Sequence, residues 1–134
     1  MSPDIENPPL VGASVEAGFP TVADEFIEDR LDLNRYLITH PAATFFVRVS
    51  GTSMQGAGIL PGDIVIVDRS LEPKEKDIVI AVVDGQFTLK RFSMVQGIVH
   101  LLAENPRFAP IKIAPDQLDF AIWGVVTSVI RKIK

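Results

Sequence analysis

The sequence predicts a mainly β protein: a compact antiparallel β domain behind a flexible amino-terminal arm and short helical pieces. Three observations lead there. From Phe45 onward, β-branched and aromatic residues fill six segments that turn residues separate. One separator is Asp84-Gly85, which supplies the two positive φ angles of a two-residue hairpin turn. Upstream of Phe45 the pattern differs, with an arm lacking apolar periodicity and then apolar residues near helical spacing.

Residues 1–20 hold Pro3, Pro8, Pro9 and Pro20 and read as a flexible, extended arm. Residues 21–44 read as a short helical segment. Within it Phe26, Ile27, Leu31, Leu37 and Ile38 fall near helical spacing; Thr21 is placed to cap a first piece, and Asp32 a second one before His40-Pro41. Residues 45–134 form the β-rich domain, with strands expected in FFVRVS, DIVIVD, DIVIAVV, QFTLKRF, IVHLLAE and AIWGVVTSVIRK. VVDGQFTLK is the clearest hairpin.

Composition narrows the function classes. The 134 residues suit one domain with a real core, and 47% hydrophobic with 22% charged residues is ordinary for a folded domain. No apolar run approaches the roughly 18 residues of a membrane span, and MSPDIENPP lacks the regions of a signal peptide. The absence of cysteine excludes disulfides and thiolate catalysis, and a cytoplasmic location is expected. A net charge of −4 speaks against direct binding to duplex DNA, and the basic tail IRKIK is too short to reverse it.

One stretch raises a chemical question. In SGTSMQGAGILPGD, Ser53 lies in a small-residue turn between two apolar strands. A serine there is most often a turn residue whose hydroxyl satisfies local backbone groups. To act as a nucleophile it needs a base. His40 precedes a proline and reads as a surface residue, and His100 reads as a strand residue in GIVHLL; nothing selects either. Nor do the two histidines have the spacing of a metal site, so no metal or other cofactor is expected.

Lys90, in FTLKRF between Phe87, Leu89 and Phe92, is the other possible base. A strand lysine ordinarily snorkels to the surface. At its usual pKa of about 10.4, only about one lysine in a few thousand is neutral at pH 7. An apolar site that lowers this by about 3 units, at a cost of about 4 kcal/mol, turns the amine into a usable base. Met54 is expected to pack inward and anchor the turn, and Asp63 to stabilise the Pro-Gly-Asp turn.

Taken in order, SGTSM, GILPGDIVIVD, DIVIAVVDGQFTLKRF, LLAENPRFAPI and WGVVTSVIR closely resemble the LexA/UmuD family of self-cleaving proteins (peptidase S24-like). The match runs from about Gly18 to the end, and the short arm resembles the UmuD branch, accessory subunits of error-prone translesion polymerases. Only 52 residues precede Ser53, which leaves no expected room for the winged DNA-binding domain of the repressors.

The resemblance implies a Ser53/Lys90 dyad and a scissile Ala17-Gly18 bond in EAGFP. It also implies oxyanion donors at the Thr52 and Ser53 backbone. Implied partners are a second copy in a homodimer, a RecA–single-stranded DNA filament and a UmuC-type error-prone polymerase, with Phe26 and Leu37 suited to a protein contact. Two other readings stay open: a non-enzymatic polymerase-binding subunit whose dyad is a relic, and a signal-peptidase-like enzyme. The missing membrane anchor speaks against the second of these.

Overall fold

A computed structural model describes residues 7–11 and 27–134, and the chain divides into two compact units after Thr39. In the first unit β1 (Pro9–Val11) pairs antiparallel with β2 (Ile27–Arg30), with Leu10 opposite Asp29. The Leu31 N–H extends the contact to the Pro8 carbonyl at 2.8 Å. Ile27–Arg30 is therefore a strand, where apolar spacing had suggested a helical piece. Its partner lies sixteen or more positions upstream in the proline-rich arm, so no local periodicity could announce the pairing. Pro9 is compatible with it because a short ribbon leaves edges that need no N–H.

A helix does follow, α1 (Leu33–Leu37), one turn long and capped as the sequence indicates. The Asp32 carboxylate accepts from the N–H groups of Asn34 and Arg35 at 3.1 and 3.3 Å. Thr21 and Phe26 lie outside the described residues.

The second unit is one seven-stranded sheet made of β3 (Thr44–Arg48), β4 (Ile64–Asp68), β5 (Ile78–Val83), β6 (Gln86–Val95), β7 (Ile98–Leu102), β8 (Ile111–Lys112) and β9 (Phe120–Ile130). The order is β3-β4-β9-β5-β6-β7-β8, antiparallel throughout. The β5–β6 turn is Asp84-Gly85, with φ of 51° and 78°, as the hairpin requires. A second turn of the same kind, Gln96-Gly97, joins β6 to β7.

Alternation along β5 explains where the core sits. Ile78 and Ile80 face a cluster containing Met54, Ile59, Val65 and Val67, while Val79 and Ala81 face another with Phe92, Leu101 and Val125. A strand apolar on both faces belongs at the centre of a covered sheet, and β5 is there. The long β9 carries two bulges: pairing to β5 skips Trp123, and pairing to β4 skips Thr127. A bulge re-aims the extra side chain. Trp123 consequently stands between Phe45 and Phe87, at centroid distances of 5.4 and 5.7 Å, with the Arg69 guanidinium 4.5 Å above its ring. Among the described residues no helix is long and apolar enough to cross a membrane.

The turn between Ser53 and β4 is locked from the far end of the chain. Buried Asp63 accepts from Arg131 Nε and Nη2, each at 2.6 Å, and from the Leu60 N–H at 2.7 Å. Asp63 does stabilise its turn, and the basic tail supplies its partner. The Arg131 hydrogen bonds, then that from Leu60, hold the Asp63 carboxyl down to about 2 from its ordinary 3.8. A folded-state value below the unfolded one adds stability that is complete above the unfolded pKa and disappears as pH falls through the folded one. Denaturant midpoints of the wild type should therefore drop as pH goes from about 4 to 2. Asp63→Asn should start lower at neutral pH and lack that part of the decline; parallel acid limbs would assign the response to other groups.

Candidate active site

The site is built where β6 outruns its neighbour. Pairing of β6 with β7 begins at Arg91 opposite Leu102, so the Gln86–Lys90 half of β6 has β5 on one side and no strand on the other. On that open edge the Leu89 carbonyl oxygen accepts two side chains, Ser53 Oγ at 3.1 Å and Lys90 Nζ at 3.2 Å. Two donors on one oxygen cannot lie farther apart than the two bond lengths added. Lys90 Nζ also donates to Thr88 Oγ1 at 2.8 Å and lies 5.8 Å from the centre of the Phe108 ring. Thr88 and Lys90 share a strand face, the ordinary period-two relation.

Lys90 is only 6% exposed, and among the described residues no carboxylate pairs with it. Burial alone lowers its pKa from 10.5, because an ammonium loses more solvation than an amine. The two histidines are engaged elsewhere. His40 Nδ1 lies 2.6 Å from Asp68 Oδ2, and His100 Nδ1 lies 3.1 Å from the Ile98 carbonyl oxygen. Asp68 is itself held ionised, first by the Ser70 hydroxyl and then by His40. Among the described residues no group of His, Cys, Asp or Glu has the geometry of a metal site.

The Ser53 turn is rigid for identifiable reasons. Gly51 takes φ of +86°, a short 3₁₀ turn follows at Gln55–Ala57, and Met54 is 1% exposed within the core. The loop after β7 then clamps it. The Glu104 N–H donates to the Ser53 carbonyl at 2.8 Å, the Gly56 N–H to the Glu104 carbonyl at 2.7 Å, and Asn105 Nδ2 to the Thr52 carbonyl at 2.9 Å. A Cβ on Gly56 would lie 2.5 Å from the Glu104 carbonyl oxygen, so the approach tolerates no side chain.

The carbonyls of Thr52, Ser53 and Met54 are all occupied, whereas the N–H groups of Thr52 and Ser53 donate to no acceptor among the described residues. Beside the turn runs an open cleft of about 340 Å³, lined by Val47, Val49, Val65, Ile80, Leu89, Trp123 and their neighbours. Its walls are mostly apolar side chains of the sheet.

Ser53 and Lys90, the two sequence candidates for chemistry, thus meet at one carbonyl. Ala17 and Gly18 lie outside the described residues. Sequence reasoning missed Thr88, whose position two residues before Lys90 could have signalled it, and the clamp from Glu104 and Asn105. ENPRF belongs to a stretch that carries the family resemblance, but no local pattern says that it folds back onto residues 52–56.

Comparison with known proteins agrees with this architecture. The Peptidase S24-like family model matches residues 9–127. Protein ImpA of Salmonella typhimurium is 43% identical over 129 residues, covering 92% of this chain and 83% of its own length. Protein SamA of the same species is 45% identical over 124 residues, covering 92% and 85%. The LexA repressor of Colwellia psychrerythraea is 39% identical over 128 residues, which is 96% of this chain but 60% of the repressor. With a family match across most of the sheet and its site loops, this chain belongs to the Peptidase S24-like family.

Proposed function

We propose that this chain is a RecA-stimulated, self-cleaving serine peptidase of the SOS DNA-damage response. Its cut between Ala17 and Gly18 yields the active accessory subunit of a translesion polymerase. The observation that carries this reading is the convergence of Ser53 Oγ and a buried, carboxylate-free Lys90 Nζ on the Leu89 carbonyl. Similarity to a LexA repressor and to ImpA supports it. A plain turn serine has no use for a desolvated lysine, which a fold keeps only against its own stability.

The chemistry is acyl transfer. Neutral Lys90 Nζ takes the Ser53 hydroxyl proton as Oγ attacks the Ala17 carbonyl carbon. The oxyanion is met by the open N–H groups of Thr52 and Ser53. As the C–N bond breaks, the proton on Nζ passes to the Gly18 nitrogen. Water then attacks the Ser53 ester carbonyl, giving one proton to Nζ. As the ester C–O bond breaks, Nζ hands that proton to Ser53 Oγ, and the freed Ala17 carboxyl leaves, losing its own proton to solvent. Thr88 holds Nζ beside the Leu89 carbonyl throughout. The product acts in a homodimer on a UmuC-type polymerase, with the acidic balance favouring protein over DNA as the contact.

Incubation with RecA, single-stranded DNA and a nucleotide should convert the chain into residues 18–134, with Gly18 as the new terminus by mass spectrometry. Ser53→Ala and Lys90→Ala should each abolish conversion while remaining folded. A cut at another bond, or undiminished cutting in Ser53→Ala, would overturn the assignment.

Cleavage without a partner should accelerate as pH rises through the Lys90 pKa, and burial places that midpoint below the ordinary 10.5. Lys90→Arg, which stays protonated throughout, should remove the response. A rate flat from neutral to alkaline pH would rule out a lysine base. The same depressed value predicts that Lys90→Met raises the melting temperature at neutral pH: the penalty of burying the ammonium is fully present below the folded pKa and gone above the unfolded one.

For the biological switch, primer extension across a lesion with the cognate polymerase should respond to residues 18–134 but not to intact Ser53→Ala protein. Equal support from both forms would sink the switch and leave the peptidase chemistry standing.

A further inference from the structure

The Thr52–Ser53 peptide unit is fixed from its carbonyl side. That oxygen accepts from the Gln55 N–H at 3.1 Å, within the turn, and from Asn105 Nδ2 at 2.9 Å, across the fold. Among the described residues all peptide bonds are trans, and in a trans peptide the C=O and N–H vectors are antiparallel within one plane. Whatever fixes the direction of the Thr52 carbonyl therefore fixes the direction of the Ser53 N–H. The bond from within the turn lies at the long end of the N–H···O range, and Asn105 supplies the shorter one.

The Asn105 amide is in turn oriented from its other end, because its Oδ1 accepts from the Arg107 N–H at 3.0 Å. Only one assignment of nitrogen and oxygen satisfies both contacts. Each side of the amide group is thus committed, and the half-buried side chain has one direction in which to donate. Glu104 does the same for the next unit, since its N–H holds the Ser53 carbonyl at 2.8 Å, but it uses backbone alone.

We infer that Asn105 is a positioning residue for oxyanion stabilisation: by pinning the Thr52 carbonyl it aims the Ser53 N–H at the oxygen that becomes negative during attack. This rests on the Ser53/Lys90 reading. Among the described residues Asn105 has no hydrogen bond to Ser53 Oγ or Lys90 Nζ, so its loss should change the limiting rate without changing the titration of the lysine. Removal of an oxyanion donor costs roughly 100-fold to 1,000-fold, so loss of its aim, with the donor still present, should cost on the order of 10-fold to 100-fold.

The experiment follows self-cleavage of the full chain against pH for wild type, Ser53→Ala, Asn105→Leu and Asn105→Ala, with melting temperatures alongside. Leucine keeps the volume and adds no charge near Lys90; alanine checks that any loss does not come from the larger side chain. Both asparagine variants should lose on the order of 10-fold to 100-fold in the alkaline limiting rate, with an unmoved pH midpoint. A midpoint displaced upward together with the rate would mean that Asn105 merely keeps water from Lys90, and would overturn the inference. An unchanged limiting rate would overturn it as well. A wild type that does not cleave, or a Ser53→Ala protein that cleaves equally, would remove the underlying reading and this inference together.

Discussion

A buried lysine with no carboxylate beside it sets the terms for the whole second unit. Solvent around Nζ or an adjacent carboxylate would favour the ammonium and cancel the downward shift that burial imposes. Lys90 meets both conditions at the point where β6 loses its strand neighbour and loops take over. Its Nζ is satisfied by Thr88 and the Leu89 carbonyl, acceptors that carry no formal charge. The arrangement is destabilising in itself, and the apolar clusters on the two faces of β5 supply the compensation.

Rigidity of the serine turn follows from a different source. Burial of Met54 holds it from below, Asp63 and Arg131 fix the chain just after it, and the Glu104-Asn105 loop holds it from the side. These restraints come from separate stretches of sequence, so a change in any one leaves the others in place. The turn can thus keep two N–H groups that have no acceptor among the described residues, in a bent backbone, and not relax to satisfy them.

Much of the sheet was legible in the sequence. Alternating β-branched residues mark β3 to β7 and β9, and Asp84-Gly85 marks a hairpin, because those signals are local. The two-residue β8 was not foreseen, since Ile111–Lys112 is too short to show a period. Ile27–Arg30 misled for a related reason: its strand character comes from pairing with Pro9–Val11 and not from its own residues. In the site, Ser53 and Lys90 stood out only through their resemblance to a known pattern. Spacing could not relate positions 53, 90 and 105, which meet because the Ser53 turn reaches the open half of β6 and the loop after β7 folds back onto that turn.

The strand order carries a consequence for when the site can exist. β3 and β4 flank the serine turn, while β5 to β8 carry the lysine and the clamp, yet β4 and β5 are not hydrogen-bonded to each other. Both are joined to β9, which follows every other strand in sequence. The sheet that joins the two halves is therefore continuous only with Phe120–Ile130 inserted between β4 and β5. Without that strand, Ser53 and Lys90 would belong to two groups of strands that share no pairing, although each would keep its own neighbours in sequence.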